Sequence, residues 1–256
     1  MSRFDMSELE WNFIKCVLPN KSRGVKRVDD RRVINGIFYA LRTGCPWRDL
    51  PERYGPYTTV YNRFNRWAYA GIWDQIMDAV VDAHNGDVVM IDGTSVRVHH
   101  AAATLKKTTH FRCMGRSRGG LSTKIHALVN ENGLPLRFLL TPGEAHDAPP
   151  CRILLDAVQP NQRVLADRAY DADWIRQMIW ERGAVAVIPS KKNRKFPKEF
   201  DSESYKQRNL VERFFGRIKR SYRRIATRYE KTSRNFLALI KMAAFRLWCE
   251  FYESAT

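Results

Sequence analysis

Two helices are predicted near the amino end from apolar positions that recur every three to four residues. In the stretch 28–44 the large apolar side chains fall on one face, with Asp29 or Asp30 placed to cap the start and Gly44 the end. The stretch 58–71 repeats the pattern. Polar side chains predicted to face away from its apolar side are Asn62, Arg63 and Arg66. Helices in this order resemble a helix-turn-helix, so a small all-α DNA-binding domain is predicted; the alternative is a helical packing module.

That helical domain is predicted to span residues 1–85, because short apolar runs rich in β-branched residues follow it. Runs at 122–130 and 134–140 flank an Asn-Gly pair, which is typical of a hairpin with a tight primed turn. Strands and helices then alternate toward a long helical carboxyl end. This order predicts a mixed α/β domain, a sheet with flanking helices, over residues 86–256. The polar, basic stretch 190–204 is predicted to be a mobile loop.

Two aspartates end predicted buried strands. Asp92 ends the apolar run 88–92, and Asp167 ends the run 163–167. A carboxylate at the mouth of a buried strand is costly unless a cation pairs with it, so two of them favour a cation site. Each alone has a simpler interpretation as a turn residue or a helix cap. A third acid, Glu212, favours the cation site.

The third acid lies in a segment, 205–224, that is predicted to form one helix. Advancing about 100° per residue places four polar residues on one stripe, apart from the apolar face. They are Tyr205, Arg208, Glu212 and Lys219. An acid flanked by cations suits a metal-bound phosphate. The alternative is a solvated face on which Arg208 and Glu212 form an ordinary i,i+4 pair.

Composition adds a strong positive charge. The chain has 256 residues, with 44 Lys and Arg against 27 Asp and Glu, a formal net charge of +17. Much of the excess lies between residues 205 and 234, where the only acids are Glu212 and Glu230. Such a stripe predicts a polyanionic partner, although a merely soluble basic protein is the alternative. Further residues predicted to contact DNA are Arg213, Arg217, Arg220, Arg223 and Arg224.

Signals of compartment point to the cytoplasm. The five cysteines are scattered with no C-x-x-C pair, which argues against a structural zinc site and a disulfide framework. The sequence has no run of about 18 apolar residues and no signal-peptide pattern, so no membrane contact is expected. A cytoplasmic, nucleoid-associated protein is predicted.

The polar stripe resembles a known signature. Tyr205, two residues, Arg208, three residues, Glu212, six residues and Lys219 match the Y-(2)-R-(3)-E-(6)-K order of bacterial insertion-sequence transposases. The segments IDGTSV and LADRAYDAD, which hold Asp92 and Asp167, are similar to those with the family's first two acids. The stretch WRDLPERYGPYTTVYNRFNRW resembles the leader domain of insertion sequence family five. The interval between Asp167 and Glu212 is too short to contain the large insertion domain that some relatives carry there.

This resemblance implies a ribonuclease H-like catalytic domain in which Asp92, Asp167 and Glu212 hold two Mg²⁺ ions, with Mn²⁺ as a substitute. It implies a DNA transposase that cuts double-stranded DNA at the ends of an insertion sequence and transfers the 3′ end to target DNA. Arg208 and Lys219 would hold the backbone, whereas Tyr205 would contact DNA or pack at the helix start. A homodimer or higher assembly is expected, because two ends must be held together.

Some alternatives remain open at this point. His146 and Asp147 are candidates for supporting the acids or binding DNA, and Asp147 is equally a candidate helix cap. One rival function is a ribonuclease H-like nuclease that cuts nucleic acid but does not join it. The other is a non-catalytic DNA-binding regulator derived from a transposase.

Overall fold

The chain folds into two compact units. The computed structural model describes residues 4–19, 28–81, 86–104 and 112–255. Met1–Ala83 and Ile218–Thr256 form one unit, here called the helical unit, and His84–Arg217 form the other, the sheet unit. This division differs from the predicted one after residue 217. The carboxyl-terminal helices pack against the amino-terminal helices.

The helical unit is built from amphipathic helices, which are α1 (Glu8–Val17), α2 (Asp30–Thr43), α3 (Tyr57–Tyr69), α4 (Ile72–Val81), α9 (Arg223–Ala226) and α10 (Ser233–Ala255). Helix α10 packs on α4, and α2 packs on α3. The side chain of Asp29 accepts a hydrogen bond at the start of α2, and Gly44 ends it in a left-handed conformation. The sequence predicted both ends of this helix.

The connection between α2 and α3 is not a tight turn. It contains two 3₁₀ turns, Trp47–Asp49 and Glu52–Tyr54, and α3 begins after Pro56 without a side-chain cap. A Cβ on Gly36 of α2 would lie 3.0 Å from the Tyr54 Cβ, so the connection packs closely on the helix. The all-α character is therefore confirmed, with a longer connection than a helix-turn-helix usually has.

The sheet unit contains strands β1 (Val88–Val98), β2 (Gly115–Ser117), β3 (Gly120–Asn130), β4 (Pro135–Pro142), β5 (Arg163–Ala166) and β6 (Val185–Val187). Strands β2 and β4 pair with successive parts of β3, and β1, β5 and β6 follow on its other side. The pairs of β3 with β1 and with β4 are antiparallel, whereas β1, β5 and β6 run parallel. The predicted mixed sheet is confirmed.

The hairpin between β3 and β4 forms where it was predicted but with a different turn. The amide of Gly133 donates to the carbonyl of Asn130, so the central residues of the turn are Glu131 and Asn132, and neither has the positive φ that a primed turn needs. The Asn130 side-chain oxygen accepts hydrogen bonds from the backbone amides of Asn132 (3.0 Å) and Leu134 (2.9 Å). These bonds stabilise the longer loop, so the prediction of a primed turn is wrong.

Helices cover both faces of the sheet. They are α5 (Cys151–Leu154), α6 (Asp173–Glu181), α7 (Ser202–Tyr205) and α8 (Asn209–Ser221). Ile91 and its neighbours on the sheet share a buried cluster with Leu154 and Ile175 of α5 and α6. On the other face, the rings of Phe138 and Phe214 of α8 lie 5.9 Å apart. Because side chains alternate along a strand, Asp92 projects on the face opposite to Ile91.

The helical segment that carries Glu212 is not one uniform helix. A 3₁₀ turn, Lys206–Arg208, separates α7 from α8, and the division between the two units falls inside α8. None of the helices in the described ranges is long and apolar enough to span a membrane.

Candidate active site

Asp92 and Asp167 lie at the same level on neighbouring parallel strands. Ile91 of β1 is in register with Ala166 of β5, and each aspartate is the next residue. The sequence predicted that Asp92 ends its strand. This prediction is wrong, because β1 continues to Val98 in its pairing with β3. Asp167 does follow the last residue of β5. Since neighbouring strands lie about 4.8 Å apart, the backbone brings the two acids close together.

Arg208 links Asp92 to Glu212. Its Nη1 lies 3.2 Å from the Asp92 Oδ2, and its Nη2 pairs with the Glu212 Oε1 one helical turn later. The Glu212 side chain is 56% exposed, whereas those of Arg208 and Asp92 are mostly buried. Glu212 therefore lies on the side of the sheet that carries Asp92, with a guanidinium between them.

The electrostatic surroundings of Asp92 favour a cation. Burial raises the pKa of the Asp92 carboxyl, the backbone amide of Gly93 (2.7 Å) and the Arg208 guanidinium lower it, and the charges of Asp167 and Glu212 raise it. Asp92 and Glu212 thus share one arginine, and the charge of Asp167 also acts on Asp92. A divalent cation would offset the repulsion among the three acids, which adds to the effect of burial on the Asp92 pKa.

The carboxylates of Asp92, Asp167 and Glu212 suit a hard divalent metal, but their side chains are not arranged as its ligands in this structure. Carboxylate oxygens are the ligands that Mg²⁺ prefers. Within the ranges that the structure describes, no three His, Cys, Asp or Glu side chains are close enough to hold a metal ion. Arg208 lies between two of the acids. The three residues fit the metal by chemistry, provided that Arg208 turns away and the exposed Glu212 side chain turns inward.

A second polar cluster supports β1 from the side of β3. Gly93 is opposite His126 in the antiparallel register, and Lys124 donates to the Asp147 Oδ1 (2.9 Å) and to the carbonyl of Ala145 (2.7 Å). His126 is fully buried, and burial lowers its pKa to about 4, so the ring is neutral. Lys124 and His126 were not predicted, although their alternate positions on β3 place them on one face.

The two residues proposed to support the acids differ in position. Asp147 lies in this cluster, its Oδ1 3.9 Å from the His126 Nδ1, and it does not cap α5, whose first residue follows Pro150. His146 is exposed. The alternative of a helix-capping Asp147 is therefore wrong.

We expect Gly93→Ala to lower by about 10²-fold the rate of the DNA cleavage that the sequence resemblance implies, because a small displacement of reacting groups costs about that much. A Cβ at Gly93 would lie 2.9 Å from the His126 Nδ1 and 3.3 Å from the Asp147 Oδ1. The strand must shift to relieve this contact, and Asp92 shifts with it. The measurement is a cleavage time course at saturating DNA.

Gly216→Ala is the matched control. A Cβ there meets nothing within 4 Å, and alanine stabilises a helix by about 1 kcal/mol relative to glycine. Cleavage at the wild-type rate by both variants would show that Asp92 tolerates the displacement, contrary to this expectation.

Predicted DNA contacts divide into exposed and buried residues. Exposed side chains are Asn62, Arg66, Arg213, Arg217, Arg220 and Arg223. Arg63 and Arg224 are buried, which corrects the prediction that they face DNA. Arg63 pairs with Asp30, and Arg224 pairs with Glu230, so both cations are already neutralised.

The contacts of Tyr205 and the burial of Lys219, two residues of the Y-(2)-R-(3)-E-(6)-K signature, indicate what each residue does. The Tyr205 ring packs edge-on against Phe200 (5.5 Å), and the Arg208 guanidinium lies 5.8 Å from its centre. Tyr205 thus supports Arg208, which favours the packing alternative. Burial lowers the pKa of the Lys219 ammonium.

A basic cleft of about 520 Å³ lies in the helical unit. Its lining residues are Phe4, Arg42, Thr43, Arg220, Ser221 and Arg223. A Cβ on Gly44 would lie 2.9 Å from the Arg223 Cβ, so glycine permits the close approach of α9 to the end of α2. No carboxylate pairs with the three arginines among the described residues. The cleft concentrates positive charge that suits a phosphate.

Comparisons with known proteins agree with this geometry. Residues 83–248 match the family described as "Transposase DDE domain", and residues 6–77 match "Putative transposase of IS4/5 family". The chain is 40% identical over 129 residues to a Brucella ovis protein named "Putative transposase for insertion sequence element IS6501", covering 50% of this chain and 98% of the relative. A Burkholderia cepacia protein named "Putative transposase for insertion sequence element IS402" is 30% identical over 138 residues, covering 50% and 62%.

Among solved structures, a piggyBac transposase synaptic complex with hairpin DNA is similar with a TM-score of 0.53. The alignment covers 96% of this chain and 71% of that chain at 11% identity, which bears on the fold alone. The predicted ribonuclease H-like fold is confirmed. Because the DDE domain match extends over most of the sequence and contains all three acids, the chain belongs to the family of DDE transposases.

Proposed function

We propose that this transposase binds the ends of an insertion sequence, hydrolyses a phosphodiester bond there and joins the freed 3′-hydroxyl to target DNA. The observation that carries the proposal is the placement of Asp92 and Asp167 on adjacent strands, with Glu212 linked to Asp92 through Arg208. Membership of the DDE family implies dependence on a divalent metal. We infer that Mg²⁺ is that metal, bound as two ions, and that Mn²⁺ can replace it.

Asp92, Asp167 and Glu212 would hold the metal ions through carboxylate oxygens. When bound, the ions activate the attacking oxygen and stabilise charge on the leaving oxygen. The acids contribute by fixing these positions on two strands and one helix. No covalent bond between the protein and DNA is required.

Arg208 has two roles in this proposal. In the absence of metal it neutralises Asp92 and Glu212, which lowers the cost of gathering acids at one place. With metal bound to the acids, the Arg208 guanidinium would be available for a backbone phosphate near the scissile bond. Lys219 supplies a further cation to the backbone, and Tyr205 supports Arg208.

Each of the two units carries exposed arginines that are candidates for contact with DNA. Arg213 and Arg217 lie on α8, and Arg220 and Arg223 line the basic cleft with Arg42. Asn62 and Arg66 on α3 are the remaining candidates for end recognition. The relatives named as transposases of insertion sequences support a DNA partner of this kind. Two ends must be held together, so we infer at least a dimer on DNA.

The experiment that tests this function is a strand-transfer assay. The purified chain is mixed with a duplex that carries the terminal inverted repeat flanking its gene, cut to expose a 3′-hydroxyl, and with a supercoiled plasmid. We expect joined and nicked plasmid with Mg²⁺ or Mn²⁺ and neither product with a chelator. Cutting without joining would favour the nuclease alternative, and DNA binding without either would favour the regulator.

A further inference from the structure

The loop of residues 189–201 joins β6 to α7 and presents an exposed aromatic ring among lysines. The Phe196 side chain is 71% exposed, and the Lys195 Nζ lies 5.6 Å from the centre of its ring. The exposed lysines of this loop, here called the basic loop, are Lys191, Lys192, Lys195 and Lys198. None of them pairs with a carboxylate among the residues that the structure describes. Their charge is therefore available to an anionic partner.

Hydrogen bonds tie the basic loop at its base and at its centre, and residues 202–204 of the segment predicted to be a mobile loop belong to α7. At its base the Lys198 amide donates to the Ser190 Oγ (2.8 Å). At its centre Arg194 donates to the carbonyl of Phe196 (3.1 Å) and to the Oδ1 of Asp171 (2.9 Å). These bonds fix the backbone on both sides of the exposed ring.

The anchor of the loop is a fully buried carboxylate close to the second acid of the triad. The Asp171 side chain has no exposed surface, and it also accepts from Arg176 and from the Lys191 amide. A single 3₁₀ turn, Arg168–Tyr170, separates it from Asp167. The loop that carries Phe196 is thus tied to the segment that carries a catalytic acid.

The chemistry of the basic loop fits a DNA strand with an unpaired base. Proteins that bind single strands combine cations along the backbone with an aromatic ring on which a base stacks. A lone exposed apolar side chain needs no such explanation. Phe196, however, borders a cleft of about 430 Å³ that is lined by Asp173, Arg194, Lys195 and Lys198.

We propose that the basic loop binds an unpaired nucleotide of the DNA substrate, with a base stacked on Phe196 and its flanking phosphates on Lys195 and Lys198. This inference rests on the proposed function, because cutting a strand at the element end creates a free terminus whose nucleotides can unpair. It adds a site that the three acids and the arginines of α8 do not supply.

The test compares two DNA end duplexes, one blunt and one with a short single-stranded overhang containing 2-aminopurine. Binding is measured in a chelator, so that no cleavage occurs. We expect Phe196→Ala to weaken binding of the overhang duplex about tenfold, the effect of losing one stacked base, with little change for the blunt duplex. Phe196→Trp should restore affinity and quench the 2-aminopurine fluorescence.

Trp180→Ala is the matched control, because Trp180 on α6 is 70% exposed and lies outside the basic loop. Thermal unfolding of each variant verifies the fold. Equal affinity of Phe196→Ala and the wild type for the overhang duplex, or an equal loss for both duplexes, would overturn the proposal. This binding result is independent of metal-dependent cutting, so failure of the proposed function would be seen separately in the strand-transfer assay.

Discussion

Asp92→Asn is expected to lower metal-dependent DNA cleavage by about 10³-fold or more, because metal stabilisation of the transition state is worth several kcal/mol. Asparagine keeps the shape of the side chain but loses the charge that attracts a cation. Asp92 lies between Asp167 and the Arg208–Glu212 pair, so it is the acid that would hold metal together with either of the other two in the proposed mechanism. The measurement is the nicking rate of an end duplex with Mg²⁺.

Two further observations separate a lost metal site from a damaged fold. Burial and the neighbouring acids raise the pKa of Asp92, which means that its negative charge is unfavourable in the folded protein. In the absence of metal, the unfolding temperature of the neutral variant should therefore be no lower than that of the wild type. Mg²⁺ should raise the unfolding temperature of the wild type, since it binds the folded state, and this rise should vanish in the variant. DNA affinity in a chelator should persist.

Asp87→Asn provides the control for this substitution. Asp87 is an exposed acid just before β1, at the opposite end of the strand segment that leads to Asp92. Wild-type cleavage is expected from it. If Asp92→Asn retained full Mg²⁺-dependent cleavage, the three acids would not be the metal ligands, and the proposed mechanism would have to be abandoned.

Local sequence patterns were sufficient to predict many of the elements in both units. The two ends of α2 follow from a capping aspartate and a glycine that adopts a left-handed conformation. The strands that position Asp92 and Asp167 follow from short β-branched runs, whereas their parallel pairing became evident only in the structure. The features that were predicted depend on neighbouring residues in the sequence.

Features that depend on tertiary contacts could not be predicted from periodicity. Lys124 and His126 lie on one face of β3, and their polar partners, which are Asp147, Thr141 and the carbonyl of Ala145, all come from other segments of the chain. The spacing of apolar residues also does not show against which other helix or sheet a helix will pack. The apolar face of α10 suits any hydrophobic surface, and it packs on α4 of the helical unit.

The assignment of Arg224 to the DNA surface failed for a local reason. A steady advance of about 100° per residue was assumed through the whole basic segment. The helix instead ends at Ser221, Tyr222 adopts an extended conformation (φ −127°), and α9 begins at Arg223. This break turns Arg224 into the interior while Arg223 stays exposed. Two adjacent arginines therefore have opposite surroundings.

Arg224→Ala is expected to destabilise the helical unit by about 3–5 kcal/mol, because removing one partner of a buried ion pair leaves the other charge uncompensated. Arg224 is 3% exposed and pairs with the buried Glu230. It also donates to the carbonyl of Cys45 (2.8 Å), and its guanidinium stacks over Trp47 at 4.7 Å. Denaturant unfolding followed by tryptophan fluorescence measures the loss.

Arg223→Ala is the neighbouring control, with the opposite expected profile. Its side chain is exposed, so stability should change by no more than about 0.5 kcal/mol. Its loss from the basic cleft should weaken DNA binding and reduce the dependence of log affinity on log salt by about one. A stable Arg224→Ala chain with weakened DNA binding would instead make Arg224 a DNA contact.

The destabilisation by Arg224→Ala should also depend on pH. Burial raises the pKa of Glu230, while Arg224 and Arg228 oppose this rise. Without Arg224 the folded-state pKa of Glu230 rises further above its unfolded value, so the folded variant binds a proton that the unfolded chain releases. The variant therefore loses stability as pH rises above the unfolded pKa of a glutamate. Its deficit relative to wild type should be smaller in mild acid than at neutral pH, and Glu230→Gln in the same background should remove that difference.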